Sequence, residues 1–268
     1  MARVAMLVDT TVCTGCRGCQ VACKQWWDLP AEETENRGTY ENPPDLSPST
    51  WTRVTFHEIE DMERLRWFHL AWGCMHCTEA PCVDVCPTTA LKHHPLGMVT
   101  LEPDLCNGCG YCLTACPFDV PRLTRDVLTG RAKATKCNLC QDRVTNGLIP
   151  ACAKTCPPQA IRFGDREEMV KLGQSKVVAL QKAGYTEANL YGDNLLGGLG
   201  RMFVLGASPA DYRLPERPIY PLAIRIWQQV VQPLGKLGIM VTLIGVASNA
   251  LAGWWIRRGR TTSKEVRQ

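Results

Sequence analysis

Apolar and polar residues divide the chain into a long region with short apolar runs and one long apolar stretch near the C-terminus. In the long region, residues 6–8 and 97–101 form apolar runs of strand length, each shortly before a group of cysteines. Apolar and polar side chains alternate from residue 51 to residue 57, which is typical of a half-buried strand. The pattern therefore predicts three strands, and it does not identify the partner of the strand at 51–57.

The clearest helix of the long region is predicted to begin at Asp165. Asp165 and Glu168 have the spacing of a capping box, and the amphipathic pattern continues to about Lys182, just before Gly184. Residues 186–235 then combine short apolar stretches with many glycines and prolines. This composition favours an extended docking segment over a separate domain.

The apolar stretch near the C-terminus has the length of a membrane span. From residue 237 to residue 256 no side chain is charged, and a helix of that length covers about 30 Å, the hydrocarbon thickness of a bilayer. Trp254 and Trp255 would lie at the interface. We therefore expect one membrane helix over residues 236–257. A helix buried in the core of a partner is the alternative.

The flanking charges predict the orientation of this helix. Three arginines lie within residues 257–260, whereas Lys236 is the basic residue before the stretch. Basic flanks stay on the cytoplasmic side, so residues 258–268 are expected to form a basic cytoplasmic tail, with the body on the periplasmic or outer face. Residues 1–12 contain no secretory signal. We therefore expect export in complex with a partner that carries a twin-arginine signal.

Composition narrows the classes of function. The net charge of +4 over 268 residues is too small to indicate nucleic acid as a partner. All five histidines precede residue 95, so the predicted membrane helix offers no histidine to a haem. Any redox centre inside the bilayer would belong to another subunit.

Cysteine spacing is the strongest functional signal in the chain, because the sixteen cysteines fall into four groups of four. The first and third groups follow C-x2-C-x2-C-x3-C, and the second and fourth widen one gap. A proline follows every group except the first, where Lys24 takes its place and is expected to tune the nearby potential. In chain order the groups are Cys13, Cys16, Cys19 and Cys23; Cys74, Cys77, Cys82 and Cys86; Cys106, Cys109, Cys112 and Cys116; and Cys137, Cys140, Cys152 and Cys156.

This spacing is the bacterial ferredoxin pattern, in which three thiolates on one loop bind one iron–sulfur cluster and the fourth reaches the neighbouring cluster. Zinc usually takes two widely separated C-x2-C pairs, and disulfides are typical of secreted chains, so both fit less well. The four groups use every cysteine and leave none as a catalytic nucleophile.

Over nearly its whole length the chain resembles the iron–sulfur (beta) subunits of membrane-bound molybdenum or tungsten oxidoreductases, most closely those of respiratory formate dehydrogenases. The cysteine groups, the insertion at residues 24–73 and the terminal helix carry this resemblance. Its most specific pieces are Cys16-Arg17-Gly18-Cys19-Gln20, Ala22-Cys23-Lys24, Asn42-Pro43-Pro44-Asp45-Leu46, Lys136-Cys137-Asn138-Leu139-Cys140, Asp142-Arg143 and Pro150-Ala151-Cys152.

The resemblance implies an α+β fold of two tandem ferredoxin-like modules, related by a pseudo-twofold, which bind four 4Fe-4S clusters. It also implies how the ligands are shared, in four sets that we number for later use. Set 1 is Cys13, Cys16, Cys19 and Cys156; set 2 is Cys137, Cys140, Cys152 and Cys23; set 3 is Cys74, Cys77, Cys82 and Cys116; set 4 is Cys106, Cys109, Cys112 and Cys86.

The function implied is electron transfer without catalysis. Electrons would pass between a molybdopterin-containing catalytic subunit, as in formate dehydrogenase, and a membrane cytochrome b or other quinone-reactive subunit. The same role in a membrane hydrogenase or in a dimethyl sulfoxide reductase-type complex is an alternative. A second alternative is that the clusters only stabilise the fold and transfer no electrons. A self-sufficient flavin or nucleotide enzyme lacks support, since residues 197–200 do not form a dinucleotide fingerprint.

The predicted organisation has four parts. Residues 1–164 form the four-cluster body, with the insertion at 24–73, and residues 165–235 form the amphipathic helix and the docking segment. Residues 236–257 cross the lipid bilayer of the cell membrane once, and residues 258–268 form the tail.

Overall fold

The computed structural model describes the backbone of residues 2–61 and 64–265, and the side chains of residues 2–60 and 65–255. The chain divides into two compact units, Met1–Tyr220 and Pro221–Gln268. The regular elements of the first unit, in chain order, are β1 (Val4–Asp9), α1 (Gly18–Trp26), β2 (Thr52–Asp61), β3 (Arg64–Gly73), α2 (Pro81–Asp84), β4 (Leu91–His93), β5 (Val99–Leu101), α3 (Tyr111–Ala115), β6 (Arg122–Arg125), β7 (Ala132–Thr135), α4 (Gln141–Thr145), α5 (Ala151–Lys154), β8 (Ile161–Asp165), α6 (Arg166–Lys182), β9 (Asn189–Tyr191) and β10 (Arg201–Leu205).

A four-stranded sheet forms the centre of the first unit, with strand order β8-β1-β10-β9. β1 pairs with β10 in parallel and with β8 antiparallel, and β9 pairs with β10 antiparallel. β1 and β10 are apolar and almost wholly buried, as strands covered on both faces are. Helix α6 packs against the sheet, so the hydrophobic core lies between them and continues towards the cysteine loops.

The segment at 165–235, predicted as an amphipathic helix and an extended docking segment, contains the strands β9 and β10 as well as α6. Residues up to Tyr220 belong to the same unit as the cysteine groups. The apolar run 202–205 is fully buried in β10, which pairs with β1. β9 in turn pairs with β10, so both strands lie in the central sheet.

Three two-stranded hairpins, β2–β3, β4–β5 and β6–β7, complete the strands of the first unit. β1, β2 and β5 confirm the three predicted strands. The partner of β2 is β3, which pairs antiparallel from Thr52↔Gly73 onward, so the second half of the insertion at 24–73 is a β-hairpin. Its first half contains no helix or strand between Trp26 and Thr52.

Helix α6 confirms the predicted amphipathic helix and its bounds. The Asp165 carboxylate accepts a hydrogen bond of 2.8 Å from the backbone N–H of Glu167, which satisfies one of the donors left free at a helix N-terminus. The helix ends at Lys182, and Gly184 follows with a φ of +92°, a conformation that favours glycine.

The second unit is helical. α7 (Leu222–Ile226) continues through a π-helical turn, Trp227–Val231, into α8 (Gln232–Glu265). In the part of the chain that the structure describes, Leu222–Trp255 is the one helix long and apolar enough to cross a membrane, with 34 residues, a mean hydropathy of 1.7 and none of its most apolar window buried. The predicted basic tail, 258–268, lies outside the described side chains.

Removal of the α6 cap tests this local account. We expect Asp165→Ala to speed hydrogen exchange of the first-turn amides about fivefold, because loss of an N-cap acceptor costs about 1 kcal/mol. Exchange in the intact protein, followed by mass spectrometry, measures this. Asp165→Asn keeps an acceptor oxygen and should exchange nearly as the unsubstituted chain does. Equal acceleration in both variants would contradict the capping role.

Candidate metal centres

Each cysteine group lies on a tight loop that leads into a short helix. Cys19 and Cys23 lie on α1, Cys82 on α2, Cys112 on α3 and Cys152 on α5. These helices have four to nine residues. Helices of this length are marginal on their own in water, so the loops depend on their surroundings to hold the thiols in place.

Left-handed backbone brings the cysteines of one loop together. In the third group, Gly108 has a φ of +73°, and a Cβ on it would lie 2.3 Å from the carbonyl oxygen of Ala132 on β7. In the fourth group Cys140 itself has a φ of 47°. Glycine adopts this conformation freely, whereas Cys140 is strained unless the surrounding structure holds it.

The thiols of sets 1 and 2 interact within each set. Burial, and then the charges of its neighbours, raises the pKa of Cys19 to about 12. Burial, and then its neighbours, raises the pKa of Cys23 well above the usual value for a thiol. The thiols that raise the pKa of Cys19 are Cys13, Cys156 and Cys16, and those that raise the pKa of Cys23 are Cys137, Cys152 and Cys140.

The same holds in the other half of the body. Burial comes first among the causes that raise the pKa of Cys77 well above its usual value, and it also comes first in raising the pKa of Cys112 to about 11. The thiols that then raise the pKa of Cys77 are Cys74, Cys82 and Cys116, and those that raise the pKa of Cys112 are Cys106, Cys109 and Cys86. The thiols of each set thus influence one another in the structure, and the assignment of one cluster to each set stays a prediction.

The sets are linked in two pairs. Cys19 of set 1 is among the thiols that raise the pKa of Cys152 in set 2, after burial. Cys112 of set 4 likewise raises the pKa of Cys82 in set 3, after burial. Helix α1, which carries cysteines of both sets 1 and 2, packs against α5, and α2 packs against α3. Sets 1 and 2 are therefore neighbours, as are sets 3 and 4.

These thiols fit an iron–sulfur cluster better than a single ion. Burial disfavours the thiolate form, so bound cations are needed to hold four converging thiolates in the interior. Among the described residues, no three Cys, His, Asp or Glu side chains are spaced for one metal ion. A four-iron cluster separates its thiolates more widely than the 2.3 Å bonds to one zinc allow.

Backbone amides donate to some of the sulfurs. The N–H of Ala134 donates to Cys106 Sγ and that of Leu139 donates to Cys137 Sγ, each at 3.3 Å. The pKa of Cys86 is lowered from its usual value: burial raises it, but hydrogen bonds, led by the one from the backbone of Leu91, lower it by more. Hydrogen bonds to sulfur stabilise negative charge there and tune cluster potentials.

The sequence indicated no role for three buried polar residues near the cysteines. Arg201 and Lys136 are 1% and 2% exposed, and His76 is fully buried. Lys136 donates to the carbonyl oxygens of Val99 at 2.6 Å and Cys137 at 2.9 Å. Two sequence features could have indicated these residues. Lys136 and His76 each directly precede a cysteine, and Arg201 is a cation directly before an apolar run.

Lys24, expected to tune a potential through its charge, has a partner of opposite charge. Its ammonium lies 3.2 Å from the Glu32 carboxylate and donates to the carbonyl oxygen of Ser49 at 2.7 Å. The carboxylate offsets the cation, so Lys24 secures the first half of the insertion against α1.

Comparison with known proteins places the cysteine-rich region in a defined class. Two 4Fe-4S dicluster domain families match the chain, one over residues 12–90 and the other over residues 65–166. Their ranges together contain all four cysteine groups. The chain thus has two tandem ferredoxin-like domains that bind 4Fe-4S clusters.

Relatives of known function are similar over most of the chain. The iron–sulfur subunit of the nitrate-inducible formate dehydrogenase of Escherichia coli is 39% identical over 249 residues, 91% of this chain and 83% of the relative. The formate dehydrogenase-O iron–sulfur subunit of the same organism is 41% identical over 243 residues, 89% of this chain and 80% of the relative. The hydrogenase-2 operon protein HybA of E. coli O157:H7 is 36% identical over 178 residues, 62% of this chain and 53% of the relative. By these similarities, the chain belongs to the family of iron–sulfur, electron-transfer subunits of formate dehydrogenases.

Proposed function

We propose that this chain holds four 4Fe-4S clusters, one in each of sets 1 to 4, and relays electrons between a molybdopterin-containing formate dehydrogenase subunit and a membrane cytochrome b. The observation that carries the proposal is the grouping of sixteen thiols into four sets that are linked in pairs. A cluster in an isolated set could serve only to stabilise the fold, whereas clusters in adjacent sets are suited to electron transfer from one to the next.

The chain's own residues would bind and tune the clusters. A bound 4Fe-4S cluster supplies one-electron redox chemistry at a potential that its surroundings set. The fourth cysteine of each group crosses to the neighbouring set, so each pair of sets is held as one unit. Buried side chains around the sulfurs keep water away, and the Ala134 and Leu139 amides donate to sulfur. Substrate chemistry would belong to the partner.

The identity of the partners is inferred from the relatives and from the second unit. Iron–sulfur subunits of formate dehydrogenases are among the relatives that the chain covers for 80% or more of their length, which supports formate dehydrogenase as the complex. The exposed apolar helix Leu222–Trp255 supports an anchor in the bilayer. No histidine lies in this helix, so a quinone-reactive haem would belong to the cytochrome.

A relay in a hydrogenase complex is a second candidate, because HybA is 36% identical over 178 residues. That similarity covers 53% of HybA, against 83% of the nitrate-inducible formate dehydrogenase subunit. The greater coverage favours formate dehydrogenase.

The sidedness of the anchor follows from its flanking charges. The arginines within residues 257–260 support a cytoplasmic C-terminus, with the cluster body on the periplasmic or outer face. Export in complex with a partner that carries the signal would reconcile that face with cluster assembly in the cytoplasm.

Single substitutions can test whether the fourth cysteine of a group binds the cluster of the neighbouring set. We expect Cys156→Ala to alter the same EPR signal as Cys13→Ala, and Cys23→Ala to alter the same signal as Cys137→Ala, because each pair shares a set. Wild-type protein should contain about sixteen irons per chain. If Cys23→Ala and Cys13→Ala alter one common signal, the proposed sharing of ligands between cysteine groups is wrong.

The electron donor can be tested in the purified complex. We expect formate to reduce a viologen dye and hydrogen to leave it oxidised, since the catalytic partner is proposed to oxidise formate. Activity with hydrogen alone would refute the formate assignment and favour the hydrogenase relay. Complex purified from cells grown without molybdate and tungstate serves as the control and should show no formate activity.

Sidedness can be tested by protease access to an epitope tag fused after Gln268. The tag should be protected in spheroplasts and cleaved in inverted vesicles, and the cluster body should be cleaved in spheroplasts. A periplasmic and a cytoplasmic marker protein in the same samples control for leakage. Protection of the cluster body in intact spheroplasts would reverse the proposed orientation.

A further inference from the structure

Arg201 is a cation in an unusual place, at the start of the central strand β10. Its side chain is 1% exposed and is the largest among the fully buried side chains. Nη2 lies 3.9 Å from Cys137 Sγ of set 2, within the range of a hydrogen bond to sulfur, and Nη1 donates to the carbonyl oxygen of Ala71 at 3.4 Å. Nε has no protein partner. The guanidinium is therefore held beside a cluster sulfur and away from water.

Among the described residues, no carboxylate balances this charge. In the described part of the chain Arg201 forms no ion pair, whereas Lys24 pairs with Glu32. An uncompensated buried charge is strongly destabilising, so the balancing anion has to come from another source. The thiolates of the neighbouring cysteines are the negative groups close by.

The backbone around Arg201 leaves room for its guanidinium. A Cβ on Gly73 would lie 2.3 Å from Nη1, so a side chain at this position would displace the guanidinium. The Arg201 backbone N–H donates to the carbonyl oxygen of Met75, between the first two cysteines of the second group, and Arg201 pairs in register with Met6 on β1. The loop of the second cysteine group and strand β1 thus both fix the backbone of Arg201.

We propose that Arg201 is a positioning residue that raises the reduction potential of the cluster held by set 2. This proposal rests on the proposed function, in which that set holds a 4Fe-4S cluster. Reduction adds one electron, and thus one negative charge, to a cluster without breaking a bond. A fixed cation in a poorly screened interior stabilises the reduced form more than the oxidised form, so the potential rises.

The test compares four proteins in the intact complex: wild type, Arg201→Gln, Arg201→Lys and Arg162→Gln. Arg162 is an exposed residue on β8 in the same sheet, so its loss controls for a change of net charge. Iron content identifies the preparations that retain their clusters. EPR-monitored titration with dithionite and redox mediators then gives each midpoint potential, and the Cys137→Ala variant assigns the signal of set 2.

Arg201→Gln is expected to lower the potential of set 2, so that the ratio of reduced to oxidised cluster at a fixed potential falls at least about tenfold. For a one-electron couple this corresponds to a fall of about 59 mV in the midpoint potential. Arg201→Lys keeps the charge and should stay within about twofold of wild type, as should Arg162→Gln. Unchanged potentials in Arg201→Gln, or an equal fall in both Arg201 variants, would overturn the proposal.

Two further outcomes are decided in the same experiment. If Arg201→Gln retains no iron, the Arg201→Lys variant decides. A wild-type potential in this variant supports the role of the charge, and a tenfold fall in the ratio of reduced to oxidised cluster overturns it. Wild-type protein without four reducible clusters would refute the proposed function itself. Wild-type protein with four such clusters, together with an unshifted Arg201→Gln variant, would refute the role of Arg201 alone.

Discussion

The burial of cysteine thiols is the constraint on which the rest of the first unit depends. Burial raises the pKa of Cys19 to about 12 and that of Cys116 to about 11, so these groups stay neutral unless a metal displaces their protons. The free energy of metal binding then becomes free energy of folding. This explains why helices α2 and α5, with four residues each, can be so short: metal and sheet together hold what the helices could not hold alone.

The features that depend on nearby residues could be predicted from the sequence. The cysteine groups, the cap at Asp165 and the alternation that became β2 are all encoded within short windows of the chain. The pairing of β1 with β10 could not be predicted, because Met6 and Arg201 are far apart in the chain and no local pattern selects partners. The apolar run 202–205 is also too short for its periodicity to separate a buried strand from a loop in a segment rich in glycine, and so it was predicted as part of a docking segment.

Charge near the clusters shows the same limit of local patterns. Lys24 directly follows Cys23 and looked the better candidate for tuning a potential, yet its ammonium meets the Glu32 carboxylate. Arg201 lies 45 residues beyond the last cysteine of the fourth group, but the sheet carries it to Cys137 Sγ. What decides electrostatic influence is burial without a counter-charge, and only the folded chain reveals which cation has both properties.

The second unit limits where electrons can leave the chain. Leu237, Ile239 and Leu243 are each more than half exposed. Covering this apolar surface with lipid or a partner would stabilise the helix by about 25 cal/mol for each Å² removed from water. The helical backbone is satisfied internally, and the Thr242 hydroxyl donates to the carbonyl oxygen of Gly238 at 2.9 Å, so the helix suits a medium without water. Every cysteine and histidine lies before residue 157, so the helix offers neither residue as a ligand to a redox centre. In the proposed relay, the bilayer step of electron transfer would therefore belong to a second protein.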